Sequence, residues 1–421
     1  MANAGMLPLA LLSSVLALTW APILYPIPTP TSTATTKTTA AVTGSPAFSR
    51  AVGYYALSDG TVTGGTFKVQ HQALADTQDI RLVYGNWTWG ISGETAGPSS
   101  LTVKASVQYP TNGGTPAVYP VMFGGKRSVT IDPGALVVSD PVPLEVKKGD
   151  FIYSATYVTV PSAGQFPLGV TAFVNIGEGG DESTSPVDKT LNPGSVTVQA
   201  MQVYSPLAIL GHTASPIPSV MLLGDSIIEG YYEAPAYPDW GFGTRGLNGA
   251  YIPSINMGRS GDTAQGAVGF KARQFRMQVA GGFTHCAVEY GTNDLYANGR
   301  TLSQLKSDIQ DLWSGCTMRG LKIIAMTLTP RTAAATDGSP PVDSGIEAIR
   351  VAYNDWIRTK PSPVVLVWDT AKAVEANSSG VLTMDGGYWF HAFTQDGTHP
   401  TTAGHAAMMS SAAIDFTKVV P

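Results

Sequence analysis

Four short motifs contain the side chains of this sequence that could carry out nucleophilic chemistry. Residues 219–223 are mostly apolar, and Gly224-Asp225-Ser226-Ile227 follow them directly. A buried strand that ends in such a turn would present the Ser226 hydroxyl at the carboxyl edge of a sheet, where open α/β folds bind ligands. The other motifs follow in the order Asn256-Met257-Gly258-Arg259-Ser260-Gly261-Asp262-Thr263, Gly291-Thr292-Asn293-Asp294 and Asp396-Gly397-Thr398-His399-Pro400. Together they supply a nucleophile, hydrogen-bond donors, a base and an acid, which are the groups that acyl transfer needs.

The last motif supplies the predicted base and its partner. A serine hydroxyl is a poor nucleophile until a base removes its proton, and His399 is the candidate base for Ser226. Asp396, three residues earlier, is predicted to orient the imidazole and to stabilise the imidazolium. In the alternative interpretation, Asp396 only caps the following helix and His399 is a surface residue. The presence of the other motifs favours the catalytic interpretation.

These motifs, in this order, resemble those of the SGNH (GDSL-type) hydrolases, a family named for Ser, Gly, Asn and His. The resemblance extends over about the last half of the chain. It implies hydrolysis of carboxylic esters, often acetyl groups on polysaccharides, although lipases, thioesterases and arylesterases share the fold. An oxyanion hole is expected from the backbone N–H groups of Ser226 and Gly261 and the side-chain amide of Asn293. Gly261 is carried over from the family motif, and Gly258 is the competing choice.

Composition excludes some classes of function. The chain has 421 residues, enough for two or three domains, and a formal net charge of -5. No basic patch is evident, so nucleic acid is not an expected partner. The six histidines show no metal-ligand spacing, and we predict neither a metal nor a cofactor. Charged residues make up only 13%, which suits a protein outside the cytosol.

Changes in composition and in hydrophobic patterning along the sequence predict three segments. Residues 1–49 contain an apolar run, followed by a Thr- and Pro-rich arm or linker. Residues 50–212 consist of short alternating segments between turn residues, which predict an antiparallel β-sandwich, jelly-roll-like accessory domain. In residues 213–421 apolar strands alternate with amphipathic helices, which predicts a doubly wound α/β catalytic domain. The buried helical stripe there is expected from Leu302, Leu305, Ile309, Leu312 and Cys316.

The N-terminal segment has two interpretations. Residues 6–20 could be the core of a signal peptide, but no Lys or Arg precedes Lys37, and Pro22 follows the small-residue site around Ala21. We therefore favour an assembly arm that docks on a homo-oligomer or a virion. Either interpretation places the protein outside the cytoplasm, as a secreted or virion-associated chain.

The two cysteines allow two states. Cys286 is predicted in a strand and Cys316 at the end of the helix that returns over it. Those ends should lie close together, so a disulfide is feasible, and two separate buried thiols are the alternative.

Aromatic residues cluster in the loop after Ser226 and in the loop before Asp396. Flat amphipathic rings suit sugar or acyl binding, and we predict substrate contacts for Tyr231, Trp240 and Trp389; packing of the loops is the alternative. The nearby Gly241-Phe242-Gly243-Thr244-Arg245-Gly246 matches a dinucleotide fingerprint, but no strand pattern precedes it, and it is predicted to be a loop.

We therefore predict a serine esterase that hydrolyses O-acetyl groups of a polysaccharide. A phage virion structural or receptor-binding protein that carries an esterase domain for host attachment is one alternative. A lipase or arylesterase is another, because a fold does not determine its substrate.

Overall fold

A computed structural model describes residues 44–91, 93–110, 116–233, 239–269, 273–333 and 339–421. The predicted segment 1–49 therefore lies almost wholly outside the described residues. Residues 44–421 fall within a single compact unit.

The part of the chain before residue 213 is built from strands, as its alternating pattern predicts. In β8, for example, Leu101, Val103 and Ala105 are buried, whereas Thr102 and Lys104 between them are partly exposed. The strands are β1 (Ser45–Pro46), β2 (Ala51–Val52), β3 (Ala56–Leu57), β4 (Gly64–Gln72), β5 (Gln78–Gly85), β6 (Trp87–Gly90), β7 (Gly93–Ala96), β8 (Leu101–Tyr109), β9 (Ala117–Pro120), β10 (Val129–Ile131), β11 (Leu136–Val138), β12 (Phe151–Thr159), β13 (Pro167–Leu168), β14 (Val170–Thr171), β15 (Gly179–Ser183), β16 (Gln202–Val203) and β17 (Ala208–His212).

These strands form antiparallel sheets. One sheet has the order β1-β17-β5-β11, and a larger one has the order β10-β8-β12-β4-β15 with β9 paired to β8. The pairs β13-β3, β14-β16 and β6-β7 are also antiparallel. The predicted antiparallel β structure is thus present, and its arrangement as a sandwich stays a prediction.

The rest of the chain alternates strands with helices. Its strands are β18 (Val220–Gly224), β19 (Ser254–Gly258), β20 (His285–Glu289), β21 (Lys322–Met326), β22 (Val364–Trp368), β23 (Glu375–Ala376) and β24 (Tyr388–Trp389). Its helices are α1 (Ser226–Glu229), α2 (Phe242–Gly249), α3 (Ala264–Ala267), α4 (Thr292–Tyr296), α5 (Leu302–Thr317), α6 (Ser344–Arg358), α7 (Thr370–Val374) and α8 (Thr402–Ser410).

The central sheet has the order β2-β19-β18-β20-β21-β22, and all of its pairings are parallel. From β18 the chain first moves to β19 on one side and then returns to β20 on the other side. Such a reversal of strand order is a topological switch point, and the carboxyl ends of the strands beside it form a crevice in open α/β sheets. The sixth strand, β2, comes from the N-terminal part of the chain.

Two hydrophobic clusters cover the two faces of this sheet. Because side chains of a strand alternate, Val220 and Leu222 of β18 belong to one cluster with residues of α2 and α8. Met221 and Leu223 belong to the other, which contains residues of α5 and continues into the N-terminal sheets. The parallel α/β core is therefore confirmed, and the boundary between residues 212 and 213 stays a prediction.

Helix α5 follows its predicted stripe. Thr301 and Gln304 form a capping box at its start, and Leu305, Ile309 and Leu312 are buried. Cys316 at its end forms a disulfide with Cys286 of β20, with 6.3 Å between the two Cα atoms. Of the two states that the sequence left open, the structure contains the bonded one.

The predicted loop at Gly241–Gly246 is wrong, because residues 242–249 form helix α2. Phe242 and Leu247 are buried in the core, and Gly246 lies so close to Phe416 that a Cβ atom would meet its ring at 2.2 Å. Tertiary packing here outweighs the low helix propensity of glycine.

In the described parts of the chain, no helix combines the length and apolarity that a bilayer span requires.

Candidate active site

Ser226 is presented by the turn that joins β18 to α1. The side chain of Asp225 caps the helix by accepting a hydrogen bond from the N–H of Ile227 at 2.9 Å. Ser226 is therefore the first residue of the helix and is 5% exposed. Its hydroxyl lies at the carboxyl end of β18, the position that the sequence predicted.

The three predicted triad residues form one chain of hydrogen bonds. Ser226 Oγ lies 2.8 Å from His399 Nε2, and His399 Nδ1 lies 2.6 Å from Asp396 Oδ2. The other oxygen of Asp396 accepts the backbone N–H groups of Thr398 and His399 at 2.9 and 2.8 Å. Burial opposes ionisation of Asp396, but these hydrogen bonds and the His399 ring together hold its pKa below the usual value. A charged carboxylate therefore faces one ring nitrogen of His399 while the other faces the hydroxyl.

The predicted oxyanion donors follow three neighbouring strands of the parallel sheet, with Ser226 after β18, Gly261 after β19 and Asn293 after β20. Asn293 lies in the first turn of α4 after β20, across the switch point from Ser226. Its Nδ2 donates to the carbonyl oxygen of Asp262 at 3.0 Å, and its contact with Asp225 Oδ2 is long, at 3.5 Å. The hydrogen that faces Asp225 is therefore only weakly engaged, and the amide is held in position by the residue that follows Gly261.

The structure separates the two glycines that competed for the second donor. Gly258 is buried in β19, and its N–H already donates to Asn256 Oδ1 at 2.8 Å. Gly261 is exposed in a left-handed conformation with φ of 82°, which glycine adopts readily. Within the described ranges, the N–H groups of Ser226 and Gly261 donate to no other protein atom. This geometry favours Gly261 over Gly258.

A group of buried acids underlies these donors, and the sequence motifs did not identify all of its members. The register places Glu289, the last residue of β20, beside Gly224, so that Glu289 adjoins Asp225. Burial, together with neighbouring acids and despite the N–H of Ile227, raises the pKa of Asp225 to about 7. Burial and then Asp225 raise the pKa of Glu289 well above its usual value. A glutamate at the end of an otherwise apolar strand is the sequence signal that could have revealed it.

A second buried network supports the loop that contains Gly261. Asp262 Oδ2 accepts from the Tyr290 hydroxyl at 2.6 Å and lies 3.5 Å from Arg276 Nη1. Arg276 Nε also donates to Glu94 Oε1 of β7 at 2.8 Å, and both side chains are at most 2% exposed. The N-terminal part of the chain thus contacts the oxyanion loop through an ion pair, for which the sequence offers no local signal.

The predicted substrate contacts differ in their surroundings. Tyr231 and Tyr232 are exposed, and their ring centroids lie 4.8 and 5.6 Å from that of His399. The ring of Trp240 instead lies edge-on to that of Phe173, with 6.4 Å between the two ring centroids. The substrate contact of Trp389 stays a prediction; this side chain is 4% exposed, and its indole N–H donates to Gly397 O at 3.0 Å. It packs against the loop that contains Asp396 and His399.

The fold and the site together define the class of protein. A serine hydroxyl, an imidazole and a carboxylate are joined by hydrogen bonds at the switch point of a parallel sheet. No group of three or more His, Cys, Asp or Glu side chains suited to a metal ion occurs in the described part of the chain. The chain formed by Ser226, His399 and Asp396 is the arrangement of a serine hydrolase.

Comparison with known proteins identifies the family of the C-terminal part. Residues 222–407 match the model of the GDSL-like Lipase/Acylhydrolase family. The predicted GDSL-type hydrolase in the C-terminal half is therefore confirmed, and this part of the chain is a carboxylic ester hydrolase domain. No match was found among curated proteins.

Solved structures of low sequence identity are also similar to this chain. An acetyl xylan esterase from Geobacillus stearothermophilus shares 19% identity, with a TM-score of 0.34 over 46% of this chain and 93% of its own. A GDSL-like lipase from Bacteroides thetaiotaomicron shares 17%, with a TM-score of 0.33 over 47% and 88%. A carbohydrate esterase of family 3 from Talaromyces cellulolyticus shares 18%, with a TM-score of 0.30 over 46% and 93%.

Proposed function

We propose that Ser226 is the nucleophile of this ester hydrolase, with His399 as its base and Asp396 as the group that orients His399. The observation that carries the proposal is the unbroken hydrogen-bond chain from Ser226 Oγ through both ring nitrogens of His399 to Asp396. His399 Nε2 takes the hydroxyl proton as Oγ attacks the ester carbonyl carbon, and the carbonyl oxygen becomes an oxyanion.

The oxyanion is stabilised by the N–H groups of Ser226 and Gly261 and by the amide of Asn293. Such donors accelerate the reaction because they are already in place before the charge develops, and each is worth about 3 kcal/mol of barrier. His399 then gives its proton to the alcohol as the ester bond breaks. Water, activated in the same way, cleaves the acyl-enzyme and restores Ser226.

For the substrate we propose an O-acetyl group on a polysaccharide. The exposed rings of Tyr231 and Tyr232 support this proposal, because they adjoin His399, and amphipathic rings pack well against the faces of sugars. An arylester or a lipid ester is the competing substrate, and it would use the same rings as an apolar surface.

We further propose an extracytoplasmic location, which the Cys286–Cys316 disulfide supports because such bonds persist in oxidising compartments. Secretion and incorporation into a virion are both compatible with it. Docking of residues 1–49 on a virion or a second copy stays a prediction, since residues 1–43 lie outside the described part of the chain.

A panel of esters tests the proposed nucleophile and substrate together. We expect release of acetate from acetylated polysaccharides and from 4-nitrophenyl acetate, and loss of at least about a thousandfold in kcat for Ser226→Ala. Ser410→Ala, which removes an exposed helical hydroxyl, should retain full activity. A serine-directed phosphonate should label only the peptide that contains Ser226.

Two results would contradict the proposal. Turnover by Ser226→Ala close to that of the wild type would exclude Ser226 as the nucleophile. Hydrolysis of long-chain or aryl esters in strong preference to acetylated polysaccharides would leave the nucleophile in place but replace the proposed substrate.

A further inference from the structure

A cleft lies between the N-terminal hairpin β6–β7 and the loop that leads to Gly261. It is open to solvent and has a volume of about 300 Å³, at the lower end of the range for small-molecule sites. The residues that line it with polar or aromatic groups are Tyr55, Thr88, Trp89, Thr95, Arg259 and Ser260. None of these residues belongs to the triad.

The cleft adjoins the loop that contains Gly261 (the oxyanion loop) and the turn that presents Ser226. Ile91, at the end of the hairpin, is so close to Gly261 that a Cβ atom on Gly261 would lie 2.8 Å from its Cγ2. On the other side, the N–H of Arg259 donates to Gly224 O at 3.0 Å, two residues before Ser226. The walls of the cleft are therefore in contact with the loop that contains Gly261 and with the turn that precedes Ser226.

The hairpin is held rigidly enough to form the wall of a site. Trp87 and Trp89 point inward and are at most 2% exposed, and the guanidinium of Arg276 lies 4.2 Å from the Trp89 ring. Glu94 on the second strand forms its buried ion pair with the same Arg276. Since Arg276 also contacts Asp262, the same side chain binds both the hairpin and the loop that contains Gly261.

The outward face of the hairpin presents hydroxyl groups to the cleft. Thr88 and Thr95 are directly paired across the two strands, and Thr88 lies between the buried Trp87 and Trp89. Thr95 is exposed and Thr88 is half-buried. Ser260 supplies a third hydroxyl from the opposite wall, and the half-buried Tyr55 supplies an aromatic ring.

The charges in the cleft are compensated within the protein. Arg259 Nη1 donates to Glu229 Oε1 at 3.0 Å, and the guanidinium lies 4.9 Å from the Tyr55 ring. Ser260 donates its N–H and hydroxyl to the other oxygen of Glu229. Because Glu229 neutralises the charge of Arg259, the cleft offers no uncompensated charge to an anionic ligand and suits a neutral ligand rich in hydroxyl groups.

We propose that this cleft binds a neutral sugar unit of the glycan that carries the ester, a proposal that rests on the function proposed above. Hydroxyl groups, an aromatic ring and a guanidinium that retains free N–H donors match the alternating polar and apolar faces of a sugar. The N-terminal part of the chain thereby contributes to substrate specificity, although every member of the triad lies in the C-terminal part.

Filling the cleft tests the proposal. Thr88→Trp, and Thr95→Trp as a second variant from the facing strand, should raise KM for acetylated xylo- and cello-oligosaccharides at least tenfold. The kcat/KM for 4-nitrophenyl acetate, which is too small to extend into the cleft, should stay within twofold. Thr102→Trp is the matched control, since Thr102 also pairs across two antiparallel strands with a threonine, Thr130, and it should leave both substrates unaffected.

The outcomes separate failure of the cleft from failure of the esterase. Unchanged KM for both oligosaccharides in both cleft variants, or equal losses on all substrates, would overturn the sugar site. A wild-type enzyme that cleaves 4-nitrophenyl acetate through Ser226 but neither oligosaccharide would also overturn it, and would leave the nucleophile intact. Undiminished cleavage of 4-nitrophenyl acetate by Ser226→Ala would instead refute the proposed function.

Discussion

A pair of buried carboxyl groups, Asp225 and Glu289, adjoins Ser226 and Asn293. Asp225 and Glu289 are each 1% exposed, and burial raises the pKa of both, so we infer that the pair holds a proton at neutral pH. We infer that the proton resides on Glu289, because Asp225 accepts the N–H of Ile227 and benefits from a negative charge. Neither carboxyl oxygen of Glu289 has a hydrogen-bond partner among the described residues, and burial without a partner costs a neutral carboxyl less than a charged one.

Replacement of Glu289 tests this arrangement through its pH dependence. The folded-state pKa values lie above those of the unfolded chain, so this pair stabilises the protein at low pH and loses that contribution as pH rises through the folded values. In Glu289→Gln an amide of the same shape, which does not titrate, replaces the carboxyl group. We expect near-normal kcat, and a free energy of unfolding that falls less between pH 6 and pH 8.5 than that of the wild type, as measured by urea denaturation.

Two further variants make the test specific. Glu289→Ala removes a buried side chain and leaves a cavity beside Asp225, and we expect a loss of about 1 to 3 kcal/mol in stability together with reduced kcat. Glu145→Gln, at an exposed position, should follow the wild type at both pH values. Equal pH dependence of the wild type and Glu289→Gln would show that Glu289 is charged in the folded protein.

At the scale of elements, the order of the strands brings the site together. Ser226 follows β18 and Asn293 follows β20, and these strands are neighbours because the chain crosses from β19 to the other side of β18. The fourth motif reaches them from the far end of the chain, in the loop before α8. Parallel strands whose carboxyl ends coincide thus convert separated motifs into one site.

The disulfide fastens α5 to the central strand β20, and its removal should be measurable. We expect no free thiols when the denatured, unreduced protein is titrated, since the chain contains only Cys286 and Cys316. Reduction should lower the free energy of unfolding by about 3 kcal/mol, because the bond closes a loop with a sequence separation of 30 residues. In the double variant Cys286→Ala, Cys316→Ala the reductant should have no effect. Two thiols in the unreduced protein would refute the bond.

At the scale of the whole molecule, the N-terminal sheets and the hydrolase share a hydrophobic core. β2 extends the parallel sheet, and the cluster that contains Met221 and Leu223 continues into the antiparallel sheets. We therefore expect the N-terminal sheets and the hydrolase to unfold together in a single cooperative step.

Residues 1–43 should be dispensable for catalysis but not for assembly. Exposed apolar runs promote association, so the run in residues 6–20 needs a partner surface if it is retained. Deletion of residues 1–43 should leave kcat unchanged and abolish oligomers or particle incorporation, as measured by light scattering. Intact-mass analysis of the native protein can contradict the assembly role. A mature chain that begins near Thr29 or Ala40 would show that the apolar run is a signal peptide.

Much of the site could be predicted from the sequence, because acyl transfer requires particular residue types. Ser226, Asn293, Asp396 and His399 occur in four ordered motifs, and the structure brings these side chains together. The alternation of apolar strands and amphipathic helices likewise predicted the parallel sheet, since buried strands and helices leave periodic patterns. These features depend on residue type and local spacing, which a sequence displays directly.

Other features were decided only by contacts between distant parts of the chain. Helix α2 forms where a loop was predicted, and the buried indole of Trp389 donates to the loop that contains Asp396 and His399. The exposure of Gly261 distinguishes it from Gly258, and Glu94 reaches Arg276 across 182 positions of sequence. Burial and pairing are properties of the packed molecule, and residues so far apart leave no periodic or local signal of their proximity. For that reason the motifs predicted the chemistry, whereas the tertiary structure alone revealed what surrounds and supports it.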